Sequence, residues 1–217
     1  MGTDLPAAVP TANPTDNEIV VSDLTVRYQG TAEPAIAGVS FQVRSGAGLC
    51  VTGPEGSGKT TLIRALVGLV PPTRGTIRIL GGSPQVPALR THVGYAPDRL
   101  PFPRGLRVTD AVRMIGAIRG VTDAPSVALE QVGLAPDDRR VISTLELGDI
   151  RRVSLACAIT GSPRALILDD PWEYPETVEV IQRALSAGVL IVVGTLDPGG
   201  FPKLLGATLT LADGTSV

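Results

Sequence analysis

An apolar run, Leu49–Thr52, gives way to Gly53-Pro54-Glu55-Gly56-Ser57-Gly58-Lys59-Thr60, and then to Leu62, Ile63, Leu66, Val67 and Leu69 at helical spacing. This segment fills every fixed position of G-x-x-x-x-G-K-[ST] and lies between an expected strand and an expected helix, as the chemistry of that motif requires. The glycines let successive backbone N–H groups face inward at a helix N-terminus, where the helix dipole adds positive potential and phosphates bind. Lys59 is then placed to reach the β and γ phosphates of a nucleoside triphosphate, and the Thr60 hydroxyl to ligate Mg²⁺. The plainer alternative, a glycine-rich turn with no ligand, leaves unexplained why one of only two lysines in the chain falls there.

The rest of the chain carries the pattern of a sheet built around that turn. From Glu18 onward, Leu24, Val26 and Tyr28 alternate with Asp23, Thr25 and Arg27, the period of a half-buried strand. Further strands are expected over Val39–Val43, Thr76–Leu80, Val93–Ala96, Ala165–Leu168, Val189–Val193 and Ala207–Leu211. The helix after the turn is expected to run to Leu69, since Pro71 and Pro72 forbid continuation. From about Arg104 to Gly161 the pattern is helical, with Val108, Ala111, Val112, Ile115 and Ile118 on one stripe, and a later helix is expected over Thr177–Ala187. Ala165–Leu168 ends in Asp169 and Asp170, as a buried parallel strand does with carboxylates at its ligand-binding edge. Asp169 is therefore the candidate partner of Thr60 for Mg²⁺, with a helix cap as the alternative.

Composition narrows the setting. At 217 residues, 43% hydrophobic and 18% charged, the chain suits one sizeable core, so a single domain over 18–217 is expected. Residues 1–17 hold Pro6, Pro10 and Pro14 and read as a flexible tail rather than a signal peptide. A formal net charge of −2 argues against a nucleic-acid partner. Cys50 and Cys157 lack disulfide or metal spacing and read as buried free thiols in a reducing compartment, which the cytoplasm is. No apolar run approaches the ~20 residues needed to span a bilayer, so membrane spans would come from another subunit.

Leu145-Glu146-Leu147-Gly148-Asp149, followed by a basic, alanine-bearing segment, resembles the LSGGQ signature and following helix of ATP-binding-cassette (ABC) transporter nucleotide-binding domains. Gly94-Tyr95-Ala96-Pro97-Asp98 is similar to the loop joining sheet and helical lobe in that family, and Asp170-Pro171 to the end of its Walker B segment. The parts stand in family order from about Ile19 to the C-terminus. The resemblance implies an α/β fold: a P-loop NTPase core sheet, a small antiparallel β lobe and a helical insertion over about 104–161. It implies ATP and Mg²⁺ as ligands, held by Tyr28 against adenine, by Gly53 through Thr60 with Thr61, and by Thr60, Asp169 and Asp98 at the metal. Lys59 and Asp170 take the catalytic places. A packed strand-end aromatic is an equal reading of Tyr28. The implied assembly is a head-to-tail homodimer or heterodimer with another cassette, attached to a transmembrane permease at the inner, cytoplasmic face of the membrane. The groove beside Asp98 and the segment Leu100–Leu106 would dock that permease.

The departures from the family fall on chemistry. Asp98 stands for a glutamine and lacks the amide donors; Asp170 stands for a glutamate, one methylene shorter; Leu196 stands for a histidine and cannot donate to a phosphate; Glu146 stands for the signature serine. Trp172-Glu173-Tyr174-Pro175 replaces the S-x-L-D turn. These changes lead to the expectation of ATP binding with slow hydrolysis, or of a non-hydrolytic subunit or nucleotide-responsive regulator paired with an active cassette. Arg151 and Arg152 read as a solvated helix face, Trp172 as a local packing residue, and His92, the only histidine, as a strand-edge residue.

Overall fold

The computed structural model describes residues 17–99, 102–103, 105–121 and 124–217. The chain runs β1 (Glu18–Val26), β2 (Ile36–Arg44), β3 (Gly48–Thr52), α1 (Lys59–Leu66), β4 (Arg74–Ile79), α2 (Pro87–Arg90), β5 (Val93–Ala96), α3 (Val108–Ile118), α4 (Ala124–Gln131), α5 (Leu147–Ile159), β6 (Ala165–Asp169), α6 (Pro175–Ser186), β7 (Leu190–Gly194), α7 (Phe201–Leu205), β8 (Thr208–Ala212) and β9 (Thr215–Ser216). A 3-10 turn at Ile142–Thr144 precedes α5.

Every residue of β6 and β7 is buried, the consequence of continuous apolar runs covered on both faces. These strands lie in a six-stranded sheet of order β5-β6-β7-β3-β8-β9, parallel except for the short β9 hairpin arm. Alternation splits each strand between two cores. Leu49, Val51, Ile167 and Val192 face α1 and a three-stranded antiparallel sheet, β2-β1-β4, while Cys50, Leu166, Leu168 and Val193 face α3 to α7. The α/β fold with a small antiparallel lobe is thus as expected.

The helical segment is stapled to the sheet by polar groups. Arg119 Nη1 donates to Cys157 O (3.3 Å), Ala158 O (2.9 Å) and Thr160 O, and Nη2 to Val93 O (2.9 Å). It thereby satisfies carbonyls at the end of α5 that no helical amide reaches. In the loop before α5, buried Asp138 accepts from Arg140 Nη2 (2.6 Å), and Arg140 Nη1 donates to Asp149 in the first turn of α5 (2.6 Å). The Arg140 guanidinium holds the Asp138 carboxyl below the usual carboxylate range.

Three details differ from sequence expectation. The helix α1 stops at Leu66 and not Leu69, because Gly68 turns left-handed (φ 74°) and the Leu69 and Val70 amides both bond back to Arg64 O. Asn17 Nδ2 donates to Ser45 Oγ (2.7 Å) and Gly188 O (3.3 Å), so Asn17 belongs to the domain and not to a tail; residues 1–16 lie outside the described residues. The elements α2, α7 and β9, of four, five and two residues, are too short for periodicity to reveal. Both cysteines are free and buried as expected, and burial pushes their thiols up to about 11 (Cys50) and about 12 (Cys157).

Candidate functional site

The carboxyl ends of β3, β5, β6 and β7 converge on a cleft of about 330 Å³ lined by the glycine turn, Ala35, Asp98, Asp169, Asp170, Thr195 and Leu196. Gly58, the N-cap of α1, is left-handed (φ 100°), and a Cβ there would sit 2.5 Å from Ala35 O, so only glycine fits. Ser57 is buried and its amide bonds to Pro54 O (3.2 Å), closing the turn, while Pro54, Glu55, Gly56 and Thr60 are exposed. Lys59 Nζ donates to Gly53 O and Pro54 O, each at 2.7 Å, so the ammonium lies within the turn rather than out in solvent. Burial lowers its pKa, an effect opposed by the charges of Asp170, Asp169 and Glu55.

Asp169 ends β6, which is separated from β3 by β7, and its Oδ1 accepts from Thr60 Oγ1 at 3.3 Å. Burial pushes this carboxyl up to about 6, against the lowering effect of the Thr60 bond. Among the described residues no three His, Cys, Asp or Glu side chains form a metal-holding group. A hydroxyl beside a carboxylate fits Mg²⁺, which draws its other ligands from phosphates and water. Of the expected metal set the structure brings Thr60 and Asp169 together; Asp98 also faces the cleft, but its carboxylate is bound to Arg151.

That arginine overturns one expectation. Arg151 is not part of a solvated face: its side chain is 13% exposed, Nη2 donates to Asp98 Oδ1 (2.9 Å) and to Asp170 Oδ2 (3.4 Å), and Nη1 donates to Asp170 O. The guanidinium stacks 4.6 Å from the Trp172 ring centroid. Arg152 is likewise engaged, with Asp149 (3.2 Å), Glu176 (3.4 Å) and the Tyr174 ring (5.1 Å). Two adjacent arginines read as an outer face from period alone; the carboxylates that meet Arg151 come from loops distant in sequence, and Arg152 meets Asp149 of its own helix and Glu176 of α6. Asp170 is held in a left-handed conformation (φ 51°), with its amide on Gly194 O (2.6 Å) and its Oδ1 accepting from Thr195 Oγ1 (3.2 Å). Thr195 and Ala35 are site residues that sequence reasoning missed, although Thr195 directly follows an apolar strand run, the same signal that marked Asp169.

The remaining expected residues are placed as follows. Tyr28 is partly exposed, and its hydroxyl pairs with Thr61 Oγ1 at 3.3 Å, beside the turn. Leu196 is 53% exposed on the cleft wall. Glu146 is the extended N-cap of α5, with Leu147 half exposed next to it. His92 lies immediately before β5 and its carbonyl accepts from the Arg164 and Ala165 amides. Of the segment Leu100–Leu106, residues 100, 101 and 104 lie outside the described residues.

A parallel sheet whose strand-to-helix turn holds a lysine against its own carbonyls, faced by a carboxylate two strands away, defines a P-loop nucleotide-binding protein. Residues 36–173 match the ABC transporter family, and the chain belongs to that family. The zinc import ATP-binding protein ZnuC of Paracoccus denitrificans is 35% identical over 184 residues, 80% of this chain and 68% of that protein. The cytochrome c biogenesis ATP-binding export protein CcmA of Roseobacter denitrificans is 35% identical over 184 residues, 84% and 80% of the two chains. The probable multidrug ABC transporter ATP-binding protein YbhF of Escherichia coli is 30% identical over 83% of this chain, which spans only 33% of that protein. Among solved structures, an ATP-binding subunit of an ABC transporter superposes with a TM-score of 0.83 at 22% identity, covering 91% of this chain and 87% of that one; it shares the fold.

Proposed function

We propose that this ABC subunit binds Mg-ATP at the Gly53–Thr61 turn, hydrolyses it slowly, and couples it to a transmembrane permease at the cytoplasmic face of the membrane. The observation that carries the reading is the placement of Lys59 inside the turn with Thr60 and Asp169 paired at 3.3 Å across the same cleft. In this arrangement Lys59 engages the β and γ phosphates, Thr60 and Asp169 hold the metal, Asp98 borders it, and Tyr28 lies beside the adenine. Bound Mg²⁺ supplies neutralisation of phosphate charge. Among the described residues no helix is long and apolar enough to cross a membrane, in keeping with spans supplied by a permease. Relatives named for import and for export match over similar lengths, which supports a shared nucleotide engine. A head-to-tail dimer, with a second copy or another cassette, completes the proposed assembly.

Slow hydrolysis follows from how the carboxylates are occupied. Both Asp170 oxygens already accept hydrogen bonds within the protein, Asp98 is paired with Arg151, and Leu196 offers no donor. The same occupancy favours a second reading, a non-hydrolytic subunit that regulates or pairs with an active cassette. For the nucleotide site itself, Lys59→Ala is expected to weaken Mg-ATP binding about 10- to 150-fold by isothermal titration, the loss of a charged hydrogen bond. An unchanged affinity would refute the role of the turn.

A further inference from the structure

We infer that Arg151 is a positioning residue of the nucleotide site, clamping Asp98 to Asp170 and restraining the step that the Asp170 carboxylate assists. The inference rests on the nucleotide reading above and adds a residue to it. Arg151 projects from the first turns of α5, Asp98 follows β5 and Asp170 follows β6, so one guanidinium ties the helical segment to two strand ends.

The cation is more buried than the anions it binds, at 13% exposed against 43% for Asp98 and 36% for Asp170. Trp172 supports it from the ring face. A carboxylate oxygen already engaged by a guanidinium has less freedom to turn and accept a hydrogen bond from water in the cleft. Thr195 holds the other Asp170 oxygen, so the carboxylate cannot swing toward the cleft without giving up one of these bonds. The fork shape matters, since Arg151 reaches Asp98, the Asp170 carboxylate and the Asp170 carbonyl together.

Two measurements on the full chain test the clamp. Trp172 is the only tryptophan, so its emission reports the contact without any ligand. Arg151→Gln is expected to shift that emission and increase quenching by acrylamide, and Asp98→Asn, which leaves the arginine but cuts one of its ion pairs, to shift it the same way by less. In phosphate release at saturating Mg-ATP, Arg151→Gln is expected to raise kcat about 5-fold, the loss of one partly exposed ion pair, with KM within about twofold. If Arg151→Gln does not fold, Arg151→Lys, which keeps the charge but not the fork, carries the same comparison with a smaller rise. A kcat that stays level or falls, or an emission spectrum that Asp98→Asn leaves in place, overturns the clamp. Absence of ATP binding to every form refutes the nucleotide reading instead, while the ligand-free emission still decides the clamp.

Discussion

At the scale of single residues, the proposed slow hydrolysis turns on Asp170 and Leu196. Asp170 sits in a left-handed backbone conformation, which a short polar side chain tolerates better than a long one, and its carboxylate is drawn to Thr195 and Arg151. Replacing Asp170 by glutamate and Leu196 by histidine together extends an acceptor into the cleft and adds a donor on its wall. A displacement near 1 Å is worth ~10²-fold in rate, so the double variant is expected to raise single-turnover phosphate release at least about 10-fold. No gain would favour the non-hydrolytic reading of the subunit.

At the scale of elements, the turn, α1, β3 and β6 were legible because each obeys a strong local rule: fixed glycines, helical spacing, or an unbroken apolar run. The clamp was not, since Arg151, Asp98 and Asp170 are brought together only by the parallel order of β5 and β6 against α5. Periodicity says which way a side chain points, not what comes to meet it. The loop before α5 shows the same limit, because nothing in the sequence marks Asp138 and Arg140 as a pair until the fold buries the carboxylate. Their pairing has a defined pH signature. The folded pKa of Asp138 lies below the unfolded value near 3.9. Its contribution is therefore present above about pH 4 and is lost as pH falls through the folded value. Asp138→Asn should cost about 1.5–3 kcal/mol in urea unfolding at pH 7, and the gap to the parent should narrow at pH 3. An equal gap at both pH values would show that the charge of Asp138 is not what stabilises the loop.

At the scale of the whole molecule, one sheet is the common wall of two cores, and Cys50 on β3 and Cys157 on α5 share the core on the helical side. Both thiols are shielded and held protonated by burial. N-ethylmaleimide should therefore label them at one slow rate, set by cooperative opening of the sheet with its helices. Faster capture of Cys157 would reveal that the helices detach on their own. The other core has a different bearing on the glycine turn, through the close approach of Gly58 to the Ala35 carbonyl just before β2. The turn proposed to hold phosphate is packed against a neighbour from another sheet, so it is not a portable cassette of eight residues. Anyone transplanting it into a foreign scaffold would have to carry the β1–β2 hairpin along as its template, and drift in that hairpin would be inherited by the shape of the turn.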